Sequence, residues 1–102
     1  MTVVDPSGFD SSGAWELDPR VAVRPEPFGA LLYHFGTRKL SFLKNTTVVE
    51  VVRSLADHPS ADAAIAAVVA EPAARAPYVQ ALATLATSAM IRPAALDLPE
   101  TA

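Results

Sequence analysis

"GALLYHFGTRKLSFLK", residues 29–44, decides the fold. Ala30 to Phe35 is a run of leucines and aromatics bounded by Gly29 and Gly36, the pattern of a strand. Gly36-Thr37-Arg38 reads as the turn, with Gly36 as the expected positive-φ residue. Lys39 to Leu43 returns as the partner strand. Strand alternation places Leu31, Tyr33 and Phe35 on one face and Leu32 and His34 on the other. On the return strand it sets Leu40 and Phe42 against Lys39, Ser41 and Leu43. Both faces of the hairpin therefore carry bulk. One face packs on helices, and the other needs cover from elsewhere. The expected cover is the Phe9–Trp15–Leu17 segment, a second copy of the chain or a partner.

Upstream, Asp5-Pro6-Ser7-Gly8 and Asp10-Ser11-Ser12-Gly13 are turn clusters, and residues 1–14 read as a flexible N-terminal segment. Val21 to Arg24 is a short strand. Pro25 and Pro27 flank Glu26, and a ladder interior does not tolerate that pattern, so a turn or bulge is expected there. Arg24 and Glu26 are surface charges or a clamp on that turn.

Downstream, the period changes. Val48, Val51, Val52 and Leu55 follow one helical stripe. Asn45-Thr46-Thr47 supplies caps, and Thr47 with Glu50 fits a capping box. Ser60 caps a second helix with Ala61, Ile65, Val68 and Val69 as its stripe. A third helix starts near Pro72 or Pro77. Its apolar face is Tyr78, Leu82, Leu85, Ala86 and Ala89, and Pro93 stops it. Residues 94–102 read as a flexible tail, leaving 15–93 as one domain. The order is a three-stranded antiparallel meander followed by three helices, an α+β fold whose outline also fits a winged helix-turn-helix.

Composition narrows the function. The chain has 102 residues, no cysteine and a net charge of −3. No disulfide framework, thiolate metal site or cysteine nucleophile exists. No apolar run reaches the ~20 residues of a membrane span, and MTVVDPSGFD is no signal peptide, so a cytoplasmic protein without membrane contact is expected. His34 and His58 are far apart and make a poor metal site; His34 reads as a strand residue with a local hydrogen bond. Ser11, Ser12 and Ser60 are turn or cap residues, and no phosphate loop or nucleophile elbow is present. Neither enzyme nor cofactor is indicated. A winged-helix DNA-binding regulator is the alternative reading. Its second helix, Ser60 to Ala70, carries Asp62 and no Lys or Arg, which argues against phosphate contacts and nucleic acid.

The stretch "RVAVRPEPFGALLYHFGTRKLSFLKN", residues 20–45, covers about a quarter of the chain. It closely resembles the mycofactocin biosynthesis chaperone (MftB) family, small relatives of the pyrroloquinoline-quinone peptide chaperone PqqD. The resemblance implies a RiPP recognition element, a domain that binds the leader of a short ribosomally made precursor peptide. In such domains the leader joins the sheet as an extra strand between the third strand and the third helix. The domain then presents the peptide to a radical S-adenosylmethionine (SAM) maturase, which acts on a Val-Tyr end of the mycofactocin precursor.

Carried onto this sequence, the resemblance makes Lys39, Leu40, Ser41, Phe42, Leu43 and Lys44 the binding strand. Tyr78, Val79, Leu82 and Leu85 mark the facing helix, and Arg75 and Lys44 become candidate partners for acidic leader residues. An unpaired edge is ordinarily a liability; here it becomes the site. Read from the residues alone, Leu40 and Phe42 belong to the core, as does most of the Tyr78–Leu82–Leu85 stripe. The sequence does not say which sheet edge is free, and it leaves a homodimer open.

Overall fold

A computed structural model describes residues 9–94. Strand β1 (Trp15–Leu17) leads through a turn to β2 (Val21–Glu26), β3 (Gly29–His34) and β4 (Leu40–Leu43). Helices α1 (Thr46–Ser54), α2 (Ala61–Val68) and α3 (Ala76–Thr87) follow, and β5 (Ile91–Pro93) ends the order. The fold is α+β. The meander β2-β3-β4 forms one antiparallel sheet, while β1 and β5 pair as a second, two-stranded one.

The sheet carries the expected alternation. Ala30, Leu32 and His34 are buried, as is Leu43 on β4. Ala30, Leu32 and Leu43 pack with Val51 and Val52 of α1, Leu55 just after it, Ala61, Ala64 and Ile65 of α2, and Leu82 and Leu85 of α3. The valine stripe of residues 48–55 is thus helical despite the β-propensity of valine, because burial on the sheet outweighs a few tenths of a kcal/mol of propensity per residue.

Several local expectations are corrected. The third helix stops at Thr87, where Ala89 adopts a positive φ of 63°, and not at Pro93. Ile91–Pro93 instead forms β5, antiparallel to β1, with Glu16 opposite Arg92 and their side chains 2.8 Å apart. Of the turn or bulge expected around Glu26 the turn forms, one step later than Pro25: β2 continues through Pro25 to Glu26, and Pro27-Phe28 makes the turn into Gly29. Proline is tolerated because β2 is an edge strand. In the β3–β4 turn the positive φ belongs to Arg38, at 63°, and not to Gly36. Gly36 is needed for a different reason, since a Cβ there would press on the His34 ring at 2.9 Å. The cap of α1 is Asn45, whose Oδ1 accepts the N–H groups of Thr47 and Val48 at 2.7 and 3.3 Å; the Thr47–Glu50 capping box does not form.

The N-terminal residues within this span are docked on the core. Phe9 and Trp15 are buried with ring centroids 4.8 Å apart. Ser11 and Gly13 offer their carbonyls to the N–H groups of Asp62 and Ala61, while the Ser60 hydroxyl accepts from Ala63. The first turn of α2 is thereby satisfied by three acceptors from outside the helix. Residues 1–8 and 95–102, including most of the expected tail, lie outside the described residues.

Candidate functional site

Two edges border the three-stranded sheet, and they differ. The His34 N–H donates to the Lys39 carbonyl at 3.0 Å, whereas the Phe35 N–H donates to Arg20 on the other side at 2.8 Å. Antiparallel alternation then fixes every backbone direction. On β4, Ser41 and Leu43 face β3, and the N–H and C=O groups of Leu40 and Phe42 point out of the sheet. On β2 the outward residues are Val21, Val23 and Pro25. The Val21 N–H is already given to the Asp18 carbonyl at 2.9 Å, and Pro25 has no N–H. The β2 edge is therefore blunted. The β4 edge keeps both outward donors and has no ladder partner among the described residues.

The side chains of β4 divide by face. Leu43 is buried and Ser41 half-buried on the helix side. Leu40 and Phe42 are 54% and 59% exposed, so the expectation that they belong to the core is overturned. They share the outer face with their cross-strand partners Tyr33 and Leu31. Lys39 and Lys44 are exposed at the two ends of the strand. Of the three expected covers, the N-terminal segment does not lie on this face: Phe9 and Trp15 are buried in the core and Leu17 packs against it.

On α3, Leu82 and Leu85 are buried in the core, while Tyr78 and Val79 are half-buried and packed against it. Arg75 is committed locally. Its Nε and Nη2 donate to the Val69 and Ala70 carbonyls at 2.8 and 2.9 Å, closing the C-terminal end of α2.

The sequence reading missed two features. Phe28, in the β2–β3 turn, is exposed and lies 6.4 Å from the Phe42 ring. Its place in a Pro-Phe-Gly turn gave no periodicity by which to assign it a face. The second is a buried polar anchor under the sheet. Asp18 accepts from Arg20 through the backbone N–H at 2.8 Å and through Nε and Nη2 at 3.1 Å each. These guanidinium hydrogen bonds hold the Asp18 carboxyl at about 2, below its ordinary 3.8, against the opposing effect of burial. Beside it, His34 accepts the Gly36 and Thr37 N–H groups through Nδ1, both at 3.0 Å. His34 Nε2 is buried without a hydrogen-bond partner, 3.8 Å from Asp18 Oδ2. This anchor sets the turn that launches β4. Among the described residues no three His, Cys, Asp or Glu side chains converge as a metal site, and no helix is long and apolar enough to cross a membrane.

The fold and site define a small α+β domain in which one strand, β4, combines an open backbone edge with exposed apolar side chains. Residues 14–92 match the profile of the peptide chaperone MftB family. The chain is 62% identical over 85 residues to a peptide chaperone MftB of Mycolicibacterium smegmatis, covering 83% of each chain. It is 58% and 55% identical over 89 residues to proteins of the same name from Mycobacterium ulcerans and Mycobacterium tuberculosis, covering 87% of this chain and 82% of theirs. No solved structure matches it significantly. The chain belongs to the peptide chaperone MftB family.

Proposed function

We propose that the chain is a peptide chaperone that takes the leader of a short ribosomally made precursor, the mycofactocin precursor, as an added strand on β4 and presents it to a radical SAM maturase. The observation that carries this reading is the asymmetry of the two sheet edges: β2 is blunted by Pro25 and the Asp18 carbonyl, which leave only Val23 with an outward donor, and β4 keeps both of its own. An added strand would exchange hydrogen bonds with Leu40 and Phe42 and place alternate side chains on the two faces of the sheet. Lys44 remains free for an acidic leader residue. Arg75 would reach one only through the part of its guanidinium not spent on α2. The family membership supports a peptide as the occupant of the edge.

In this reading the chain supplies binding and register, and the chemistry belongs to the maturase. The second helix carries Asp62 and no basic residue, so the DNA-binding alternative draws no support from the structure. Calorimetric titration with the full precursor and with the precursor lacking its leader tests the proposal. Binding of the first and not the second is expected. Equal binding of both would move recognition to the core of the peptide and overturn the leader assignment.

A further inference from the structure

The outer face of the sheet is a surface that the backbone bonds of strand addition on β4 leave unused. Leu31 and Tyr33 of the middle strand meet Phe42 and Leu40 of β4 there, Phe35 follows just beyond β3, and Phe28 joins at the end of the β2–β3 turn. Tyr33 and Phe35 lie edge to face, with centroids 5.1 Å apart. Phe28, Phe35, Leu40 and Phe42 are all large and 44–61% exposed. From strand spacing and rise, the face measures roughly 300 Å².

Its rim is basic. Between Arg20 and Lys44 the chain carries five basic side chains and one acidic, in a protein whose net charge is −3. Glu26 is paired with Arg24 at 3.0 Å and Asp18 with Arg20 at 3.1 Å, which leaves Arg38, Lys39 and Lys44 with no ion pair among the described residues. Arg38, in the turn, lies at one end of the face and Lys44 at the other, both exposed, while Lys39 stands beside Arg38 on the helix side of the strand.

We infer that this face is the docking surface for a protein partner with an apolar centre and an acidic rim. Resting on the function proposed above, that partner is the maturase that receives the peptide. Charge selects among the occupants. A second copy packed face to face would set one basic rim against another. The area is also well below the ~800 Å² per partner of a stable complex, which suits a transient encounter. A single-stranded nucleic acid would find rings on this face but few free cations to follow its phosphates, in a protein whose net charge is −3.

The placement has a consequence for order. An added strand on β4 projects alternate side chains onto this same outer face, beside Leu40 and Phe42. A loaded chaperone therefore presents a wider apolar surface than an empty one, and the leader favours docking of the enzyme.

The test uses Phe35→Ser and Arg38→Glu. Both residues are exposed and stand off the β4 edge. Leader affinity, maturase affinity with and without precursor, self-association and binding of a single-stranded oligonucleotide are measured for the parent and both variants. The expected result is leader binding within about twofold of the parent and a tenfold or greater loss of maturase affinity in each variant. The parent is expected to bind maturase more tightly when loaded. Unchanged maturase affinity in both folded variants would overturn the assignment of this face. So would a parent dimer that Phe35→Ser dissolves, or oligonucleotide binding that Arg38→Glu abolishes. Failure of the parent to bind the leader would instead sink the proposed function, which separates the two claims.

Discussion

A Cβ placed on Gly29 would collide with the carbonyl oxygen of Leu43 across the sheet. Gly29 opens β3 with a φ of 154°, a conformation that L side chains rarely adopt. The two residues thus fix how closely β4 approaches the start of the middle strand, just where β4 hands over to the Asn45 cap of α1.

Gly29→Ala is expected to destabilise the fold by about 2 kcal/mol or more, from backbone strain and displacement of Leu43. Chemical denaturation would read the loss as a lower midpoint at unchanged slope. A slope that changed as well would mean that the β3–β4 pairing had loosened more generally.

Stability should respond to acid through Asp18. Its carboxyl titrates at about 2 in the folded chain and near 3.8 when unfolded. A depressed folded value means that the contribution is fully present above the unfolded value and is lost as pH falls from about 3.8 through about 2. Thermal melts across that window should drop more steeply for the parent than for Asp18→Asn. The variant should also be weaker at neutral pH, because Arg20 loses its charged partner. Parallel pH profiles for the two proteins would contradict this assignment.

His34 offers a separate test of the turn. Its Nδ1 is the acceptor for two turn N–H groups, which requires that nitrogen to carry no proton. His34→Phe keeps a ring in the site and removes the acceptor. Two donors are left in a crowded turn, and a loss of about 1–3 kcal/mol is expected. Hydrogen exchange at Gly36 and Thr37 should accelerate more than exchange at Leu32, which sits in the ladder. Uniform acceleration would show that the ring, not the acceptor, is what matters.

The hairpin was legible because glycines bracketed a run of large residues, and Ser60 announced α2 because its hydroxyl had one local use. Ile91–Pro93 was not legible as a strand. Three residues give no period, and their partner, Trp15–Leu17, lies at the far end of the chain. Alternation sorted Leu40 and Phe42 from Ser41 and Leu43 correctly but could not say which set faced the helices. That choice depends on where residues 48–85 pack, which is tertiary information. The open edge was hidden for the same reason. Pro25 was visible in the sequence, yet its meaning as a block on β2 required knowing that β2 borders the sheet.

Backbone direction on β4 yields the sharpest expectation for the proposed site. Ser41 and Leu43 point their N–H groups into the sheet, and Leu40 and Phe42 point theirs outward. Proline removes one N–H and fixes φ near −65°. At Ser41 or Leu43 it deletes a ladder bond to β3, so both variants should be destabilised or unfolded, with Leu43→Pro worse because its side chain is also buried. At Leu40 or Phe42 proline removes only a donor that the sheet does not use, as Pro25 already does on the opposite edge. Those variants should stay folded. Alanine at the same positions separates the side chain from the backbone, since Leu40→Ala and Phe42→Ala keep the N–H. Relative to its alanine counterpart, each outward proline should weaken leader binding by about 1 kcal/mol or more. Ser41→Ala, which leaves every backbone group in place, should bind as the parent does. Titration calorimetry on variants shown to be folded by circular dichroism provides the measurement. If Leu40→Pro and Phe42→Pro bind the leader as tightly as their alanine counterparts, no strand is added on this edge and the peptide docks elsewhere.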